Sequence, residues 1–404
     1  MKLITTVVAL TVLSSGLLAA QGPAKVLGIP DAGKAALTAQ MNDAVKKGDA
    51  PAIVEIVVNR EGTLYEGSAG LPTNALFNIA SMTKPVTSVA IMMLMEQGKL
   101  KLDDPVSKYL PGFDHLQVIS KFNAADATYE TRPAKTVMTI THLLSHTSGI
   151  GYGFTNPIEN ALTAKTKKGE WELPLLDDPG TKFNYSASTR VLGMIVEKIT
   201  GSGLEPWYHE HIFVPLGMNN TSYAVPAISQ SRLAPQFTRF TGKIEPLPKA
   251  PVATSIAPGA TVRGDGGLYS TVEDYSKFVR MLLNGGTLNG KKILSEASVK
   301  KMGQNAIGSI FVQLQPDADK QRTKPFPLGA GKEKFGLGFQ IAAETPVFRS
   351  PGSMSWAGIF NTEFWVDPVK QVGGVHMMQL LPFYDDGAIR ALRGFEETVY
   401  KNLR

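Results

Sequence analysis

Phe77-Asn-Ile-Ala-Ser81-Met-Thr-Lys84-Pro85-Val-Thr-Ser-Val-Ala90 places a hydroxyl and an amine one helical turn apart, where an apolar helix begins. Side chains three residues apart on a helix share a face. Proline is tolerated in the first turn, whose backbone N–H groups have no intrahelical acceptor, so Pro85 marks the start. Ser81 then lies at the helix N-terminus, where unpaired N–H groups and the helix dipole favour negative charge. An alcohol becomes a nucleophile when a base lies within hydrogen-bond reach and its anion is stabilised. Lys84 is that base, or it holds a neighbouring base in its anionic form. Val86, Val89, Ala90, Met93 and Leu94 supply the apolar body and Gly98 the end, so the helix is expected over about 81–97. Ser-x-x-Lys alone is a weak signal; its place at a proline-marked helix start gives it weight.

Working outward, Ala52 to Val58, the Asn59-Arg-Glu-Gly62 turn and Thr63 to Glu66 read as a β-hairpin. Helical segments are expected at 141–146, 186–200, 203–213, 271–284 and 295–302, between long Pro/Gly-rich loops such as 224–263 and 303–334. Ser270-x-x-Glu273 reads as a capping box opening the fourth of these. Gly336 to Ala342, Gly358 to Val366 and Val372 to Gln379 read as strands, with Asp367-Pro-Val-Lys370 as the turn between the last two. A terminal helix is expected at about 386–403. Strands at both ends with helices between them imply an α+β fold. Its antiparallel sheet is flanked by helices and completed by the C-terminus, around an inserted, mainly helical region. The α/β part covers about 21–115 and 320–404, and the helical part about 116–319.

Met1-Lys2 followed by Leu3 to Ala20 gives one positive charge and an apolar run ending in small residues, the pattern of a secretory signal peptide. The expected location is therefore secreted or periplasmic. An uncleaved N-terminal segment is the one route to membrane association. The chain has no cysteine, which excludes disulfides and thiolate metal sites. Its net charge of +6 is spread over scattered Lys and Arg, without the clustered basic stripe that nucleic-acid binding requires. His142 and His146 are four apart on a short helix, but no acidic or third histidine ligand lies near them in sequence, so no metal site is expected. Gly264-Asp-Gly-Gly267 lacks the lysine and the preceding strand of a phosphate loop.

Six stretches together resemble the serine β-lactamase-related hydrolases, the superfamily of class C β-lactamases, DD-peptidases and family VIII carboxylesterases. They are Ala80 to Val89, Gly98 to Pro111, Ile140-Thr-His-Leu-Leu-Ser-His-Thr-Ser-Gly149, Phe183-Asn-Tyr-Ser186, Gly264-Asp-Gly-Gly-Leu-Tyr-Ser-Thr-Val-Glu-Asp274 and Trp356-Ala-Gly358. They run in family order over almost the whole chain. The resemblance implies the same sheet-plus-helical architecture, with the site between the two parts. It also implies that Tyr185 stands at the tyrosine of the Tyr-x-Asn motif and shares proton transfer with Lys84. Which of the two holds the proton at rest stays open.

The chain departs from the lactamase pattern at Ala187, where lactamases and peptidases carry an asparagine that contacts the acylamino arm of their substrates. It departs again at Trp356, where β-lactamases carry the lysine of Lys-Thr-Gly. The Trp-x-Gly form matches family VIII carboxylesterases and offers an apolar wall. Gly358 lets a substrate approach the strand backbone. By correspondence the oxyanion sits between the N–H groups of Ser81 and Ile359. These features imply an exported carboxylesterase cleaving short-chain esters through a Ser81 acyl-enzyme, without metal or cofactor. The partner is a small-molecule ester, with a β-lactam as the alternative substrate. The rival activities are β-lactamase or DD-peptidase and acyltransferase. A non-catalytic binding protein would have no reason to keep Ser81, Lys84 and Tyr185 together.

Overall fold

Ile53–Asn59 (β1) is buried at all seven positions, as an apolar run must be when a strand is covered on both faces. It turns back through Asn59, whose Oδ1 accepts from the N–H groups of Glu61 at 3.0 Å and Gly62 at 2.8 Å. Thr63–Ala69 (β2) then pairs antiparallel with β1. The rest of the sheet comes from the far end of the chain. Lys334–Phe335 (β3), Gln340–Ile341 (β4), Met354–Gly358 (β5), Thr362–Asp367 (β6) and Val372–Met377 (β7) complete seven strands in the order β3-β4-β5-β6-β7-β1-β2. Val54 faces Met377 across the join. The computed structural model describes residues 27–257, 259–343 and 348–404. The 1–20 segment read as a signal peptide lies outside them.

The helices sort onto two faces by the alternation of β1. Ile53 and Val57 pack toward Asp31–Lys46 (α1) and the terminal Asp386–Asn402 (α5), which lie against each other. Val54, Ile56 and Val58 face the larger core built on Thr83–Glu96 (α2) and Val272–Leu283 (α4). α2 is buried almost all round, the condition that suits a helix apolar on every side. It ends where Gly98 takes a φ of +71° and donates to Met95 O at 2.9 Å. Ser188–Thr200 (α3) packs on α2, and Tyr185 lies in the segment that leads into it. α4 belongs to the 116–319 stretch, yet it packs on β1, β6 and β7. No helix among the described residues is long and apolar enough to cross a membrane.

Three local expectations need correction. The stretch from Gly358 to Val366 is not one strand. Gly358 ends β5, Asn361 takes a φ of 60° in the turn, and β6 starts at Thr362. Asn361 tolerates that conformation because its amide donates to Leu380 O at 2.8 Å and Pro382 O at 3.0 Å, while its Oδ1 accepts from Tyr384 N–H at 2.8 Å. Gly336 to Ala342 is likewise a tight turn with only Gln340–Ile341 paired on its far side. The cap of α4 is Thr271, whose hydroxyl accepts from Asp274 N–H at 3.1 Å. Ser270 is held instead in a short bridge opposite Phe77, with its hydroxyl 2.8 Å from that of Thr221.

Candidate active site

Ser81 lies in a 3₁₀ turn, Ala80–Met82, that leads directly into α2. The helix proper begins at Thr83, so Pro85 is its third residue and still within the first turn. Ala80 takes a φ of +44°, unusual for a residue with a Cβ. It is held there by its N–H bond to Asn78 Oδ1 at 3.0 Å. The adjoining strand end is fitted to this turn. A Cβ on Gly358 would collide with the carbonyl oxygen of Ile79 and the Thr362 hydroxyl. The open side of Gly358 therefore admits the nucleophile turn itself, where the sequence suggested substrate.

Two groups converge on Ser81 Oγ: Lys84 Nζ at 3.0 Å and Tyr185 Oη at 2.7 Å. Lys84 is 2% exposed. Its Nζ also donates to the backbone carbonyl of Asp265 at 2.7 Å. Burial pulls the Lys84 amine down to about 7, opposed by the Asp265 carboxylate and aided by Arg263 and Arg190. Burial pushes the Tyr185 phenol well above its ordinary value. The resting base that these two shifts favour is the uncharged amine, with the phenol protonated. The 104-residue separation of Ser81 and Tyr185 is bridged by the approach of α3 to α2. Tyr185 is fixed from behind, its N–H donating to Gln315 Oε1 at 3.1 Å.

Behind Lys84 lies a charged cluster that the sequence did not assign. Asp265 is 1% exposed. Its carboxylate accepts from the Tyr152 hydroxyl, from Arg190 Nε at 3.2 Å, and from Arg263 Nε and Nη2, both at 3.1 Å. Although burial opposes it, Lys84, Arg263 and Arg190 hold the Asp265 carboxyl below the usual carboxylate range. The clue was the Gly264-Asp-Gly-Gly267 quartet, set aside as an incomplete phosphate loop. Its physical reason is close approach: a Cβ on Gly264 would lie 2.7 Å from Thr189 O and 2.9 Å from Gly193 Cα in α3. Tyr152 gave no signal because it lies in a loop without periodicity.

Trp356 stands on β5 with its ring centroid 5.1 Å from that of Tyr185 and 5.3 Å from that of Phe335. Its Nε1 is buried without a hydrogen-bond partner among the described residues. Ala187 is buried, its backbone N–H donating to Gly151 O at 3.2 Å and its carbonyl accepting from Arg190 N–H at 2.9 Å, and its methyl side chain offers no hydrogen bond. Ser81, Tyr185, Trp356 and Ile359 all line one cavity of about 920 Å³, so the structure brings together the residues singled out in the sequence. The two histidines have other employment. His142 Nδ1 accepts from Thr139 N–H at 3.2 Å, and His146 lies 3.1 Å from the Ser186 hydroxyl with its ring against Tyr185.

The model of the Beta-lactamase family matches residues 36–397. The chain belongs to that family. Among curated relatives of this family member, Protein Rv1367c of Mycobacterium tuberculosis (strain ATCC 25618 / H37Rv) is 34% identical over 347 residues, 81% of this chain and 83% of that one. Esterase EstB of Burkholderia gladioli is 28% identical over 347 residues, covering 78% and 80%. Among solved structures, the LovD6 mutant of simvastatin synthase (LovD) from Aspergillus terreus superposes with a TM-score of 0.76 at 25% identity, covering 93% of this chain and 98% of that one. The family member is thus a serine hydrolase by descent, with the α+β architecture expected from its sequence.

Proposed function

We propose that the protein is a carboxylesterase that cleaves uncharged, short-chain esters through an acyl-enzyme on Ser81. The observation that carries this reading is the convergence of Lys84 Nζ and Tyr185 Oη on Ser81 Oγ beside Trp356, an apolar wall where a lactamase would present a cation. The Ser81 proton passes to the uncharged Lys84 amine as Oγ attacks the ester carbonyl carbon. The carbonyl π pair moves onto oxygen, which is received by the N–H groups of Ser81 and Ile359, donors of a kind worth roughly 3–4 kcal/mol each. The C–O bond to the alcohol breaks as a proton returns to the leaving oxygen through Tyr185 and Lys84. Water then repeats the sequence and releases the acid. The similarity to an esterase over most of both chains supports this reading.

A cavity of about 920 Å³ exceeds what a short acyl group fills, and it favours one second reading: acyl transfer to another alcohol in place of water. Export belongs to the proposal as well, on the charge and apolar run of residues 1–20. N-terminal sequencing of the protein recovered from its host tests that. The activity is tested by reacting the protein side by side with p-nitrophenyl butyrate, a chromogenic cephalosporin and a fluorophosphonate label. An esterase turns over the butyrate fastest and takes the label on Ser81. A kcat/KM higher for the cephalosporin would replace the reading by a β-lactamase. Transfer would appear as a new ester when an alcohol is added to the butyrate reaction.

A further inference from the structure

The cavity that opens on Ser81 also reaches the other face of the sheet. There it is walled by Leu392, Arg393 and Glu396 of α5 and by Ala357 and Glu363 of β5 and β6. Glu363 lines this far chamber and is 7% exposed. Its cross-strand neighbours do not satisfy it: Ala357 offers no polar side chain, and His376 is held by Glu55 at 2.8 Å. Of the nearby charges, Arg349 pairs with Glu396 through one terminal nitrogen, with its Nε buried and without a partner among the described residues, and Glu333 accepts from Gln340. None of these groups hydrogen-bonds the Glu363 carboxyl. Facing the cavity, this carboxyl is open to a hydrogen bond with a ligand.

The chemistry of that ligand follows from the charges around it. Burial pushes the Glu363 carboxyl up to about 8, with Arg349 opposing and Glu396 adding to the rise. At neutral pH it is therefore uncharged and offers one O–H donor beside acceptor lone pairs, the complement of an alcohol. A cationic ligand would meet Arg349 and Arg393, and an anionic one the Glu396 carboxylate. The way from Ser81 is lined by Phe326, Ile341, Phe383 and Tyr384, which suit an apolar chain. We propose that the Glu363 chamber is a recognition subsite for a neutral hydroxyl at the far end of an extended, apolar ester whose carbonyl lies at Ser81. The proposal rests on the esterase reading and specifies its substrate class.

Two matched substrate series test it on the whole protein. One compares p-nitrophenyl esters of linear acids with those of ω-hydroxy acids, and the other compares butyrate esters of n-alkanols with those of α,ω-diols, each over chain lengths from about four to fourteen carbons. In one series, at the chain length that spans the cavity, the hydroxylated member is preferred about tenfold or more in kcat/KM, the size of one net hydrogen bond. Glu363→Leu removes the preference, and Glu363→Gln, which keeps a donor and an acceptor, retains it. A readout without any variant is the wild-type ratio, in which the titration of the catalytic groups cancels. It changes between pH 7 and 9 as Glu363, among Arg349, Arg393, Glu333, His376, Tyr384 and Glu396, turns from a carboxyl that donates and accepts into a carboxylate that only accepts, and a ratio flat across that range counts against the subsite. Equal rates for both members at every length, or a preference that survives Glu363→Leu, overturn the subsite while leaving the esterase reading intact. Turnover of no ester at all, butyrate included, overturns the esterase reading and the subsite with it.

Discussion

In the proposed reaction Lys84 is the residue on which the chemistry turns, because burial lowers its amine from the ordinary 10.5 to about 7. Its amine must be free to accept the Ser81 proton, so kcat/KM for p-nitrophenyl butyrate is expected to rise through an acid limb near pH 7. A limb near pH 10 would mean that the lysine stays charged and that another base acts. Asp265 raises the Lys84 value and anchors Nζ through its carbonyl. Asp265→Asn should therefore move the limb to lower pH and lower kcat; a purely structural loss would leave the limb in place. Ser81→Ala should abolish fluorophosphonate labelling with little change in Tm. Lys84→Ala and Tyr185→Phe should each depress kcat strongly, and the double variant little further, since residues in one proton-transfer unit are not additive. Multiplying losses would separate their roles. Ser81, Lys84 and Tyr185 were legible because helix spacing and motif order mark them. Asp265 and Tyr152 were not, because their contacts join a loop to the base of α2 across the fold, and no local pattern encodes that.

At the scale of elements, the cap of α4 gives a direct stability test. Thr271→Ala removes the hydroxyl that accepts from Asp274 N–H, and it should lower unfolding free energy by about 1 kcal/mol in a denaturant titration. Glu273 is exposed and among the described residues its side chain pairs only with Lys277 at 3.2 Å, so Glu273→Ala should change stability by no more than about 0.5 kcal/mol. The reverse order would restore the Ser270–Glu273 capping box. The apolar repeats of α2 and α3 and the long amphipathic run of α5 were plain in the sequence. α1 was not, because its buried stripe is only Gly33, Leu37, Met41 and Ala44, too small a contrast with its neighbours to stand out. The β5–β6 turn was missed because Ile359 and Phe360 continue the apolar run on both sides, and only Asn361 marks the break.

On the scale of the whole molecule, the proposed specificity is divided between Ala187, the N-cap of α3, and the sheet, which carries Trp356. Restoring both lactamase groups, Ala187→Asn with Trp356→Lys, should lower the kcat/KM ratio of butyrate ester to cephalosporin by at least about tenfold, since a site that hydrogen-bonds its substrate discriminates more than one that encloses it. An unchanged ratio would place specificity in the loops instead. The overall architecture was legible from strands at both ends and helices between. The packing of α4 on the sheet was not, because a helix within a helical stretch gives no sign of the face it will cover. The join between β1 and β7 bears on how the protein comes to be. Val54 must wait for Met377 to be synthesised before it finds its partner, and Gly358 must arrive before the Ser81 turn has a wall to pack on. Long-range pairing of this kind slows folding. The nascent chain therefore stays unfinished, and catalytically silent, until nearly its last residues have been made.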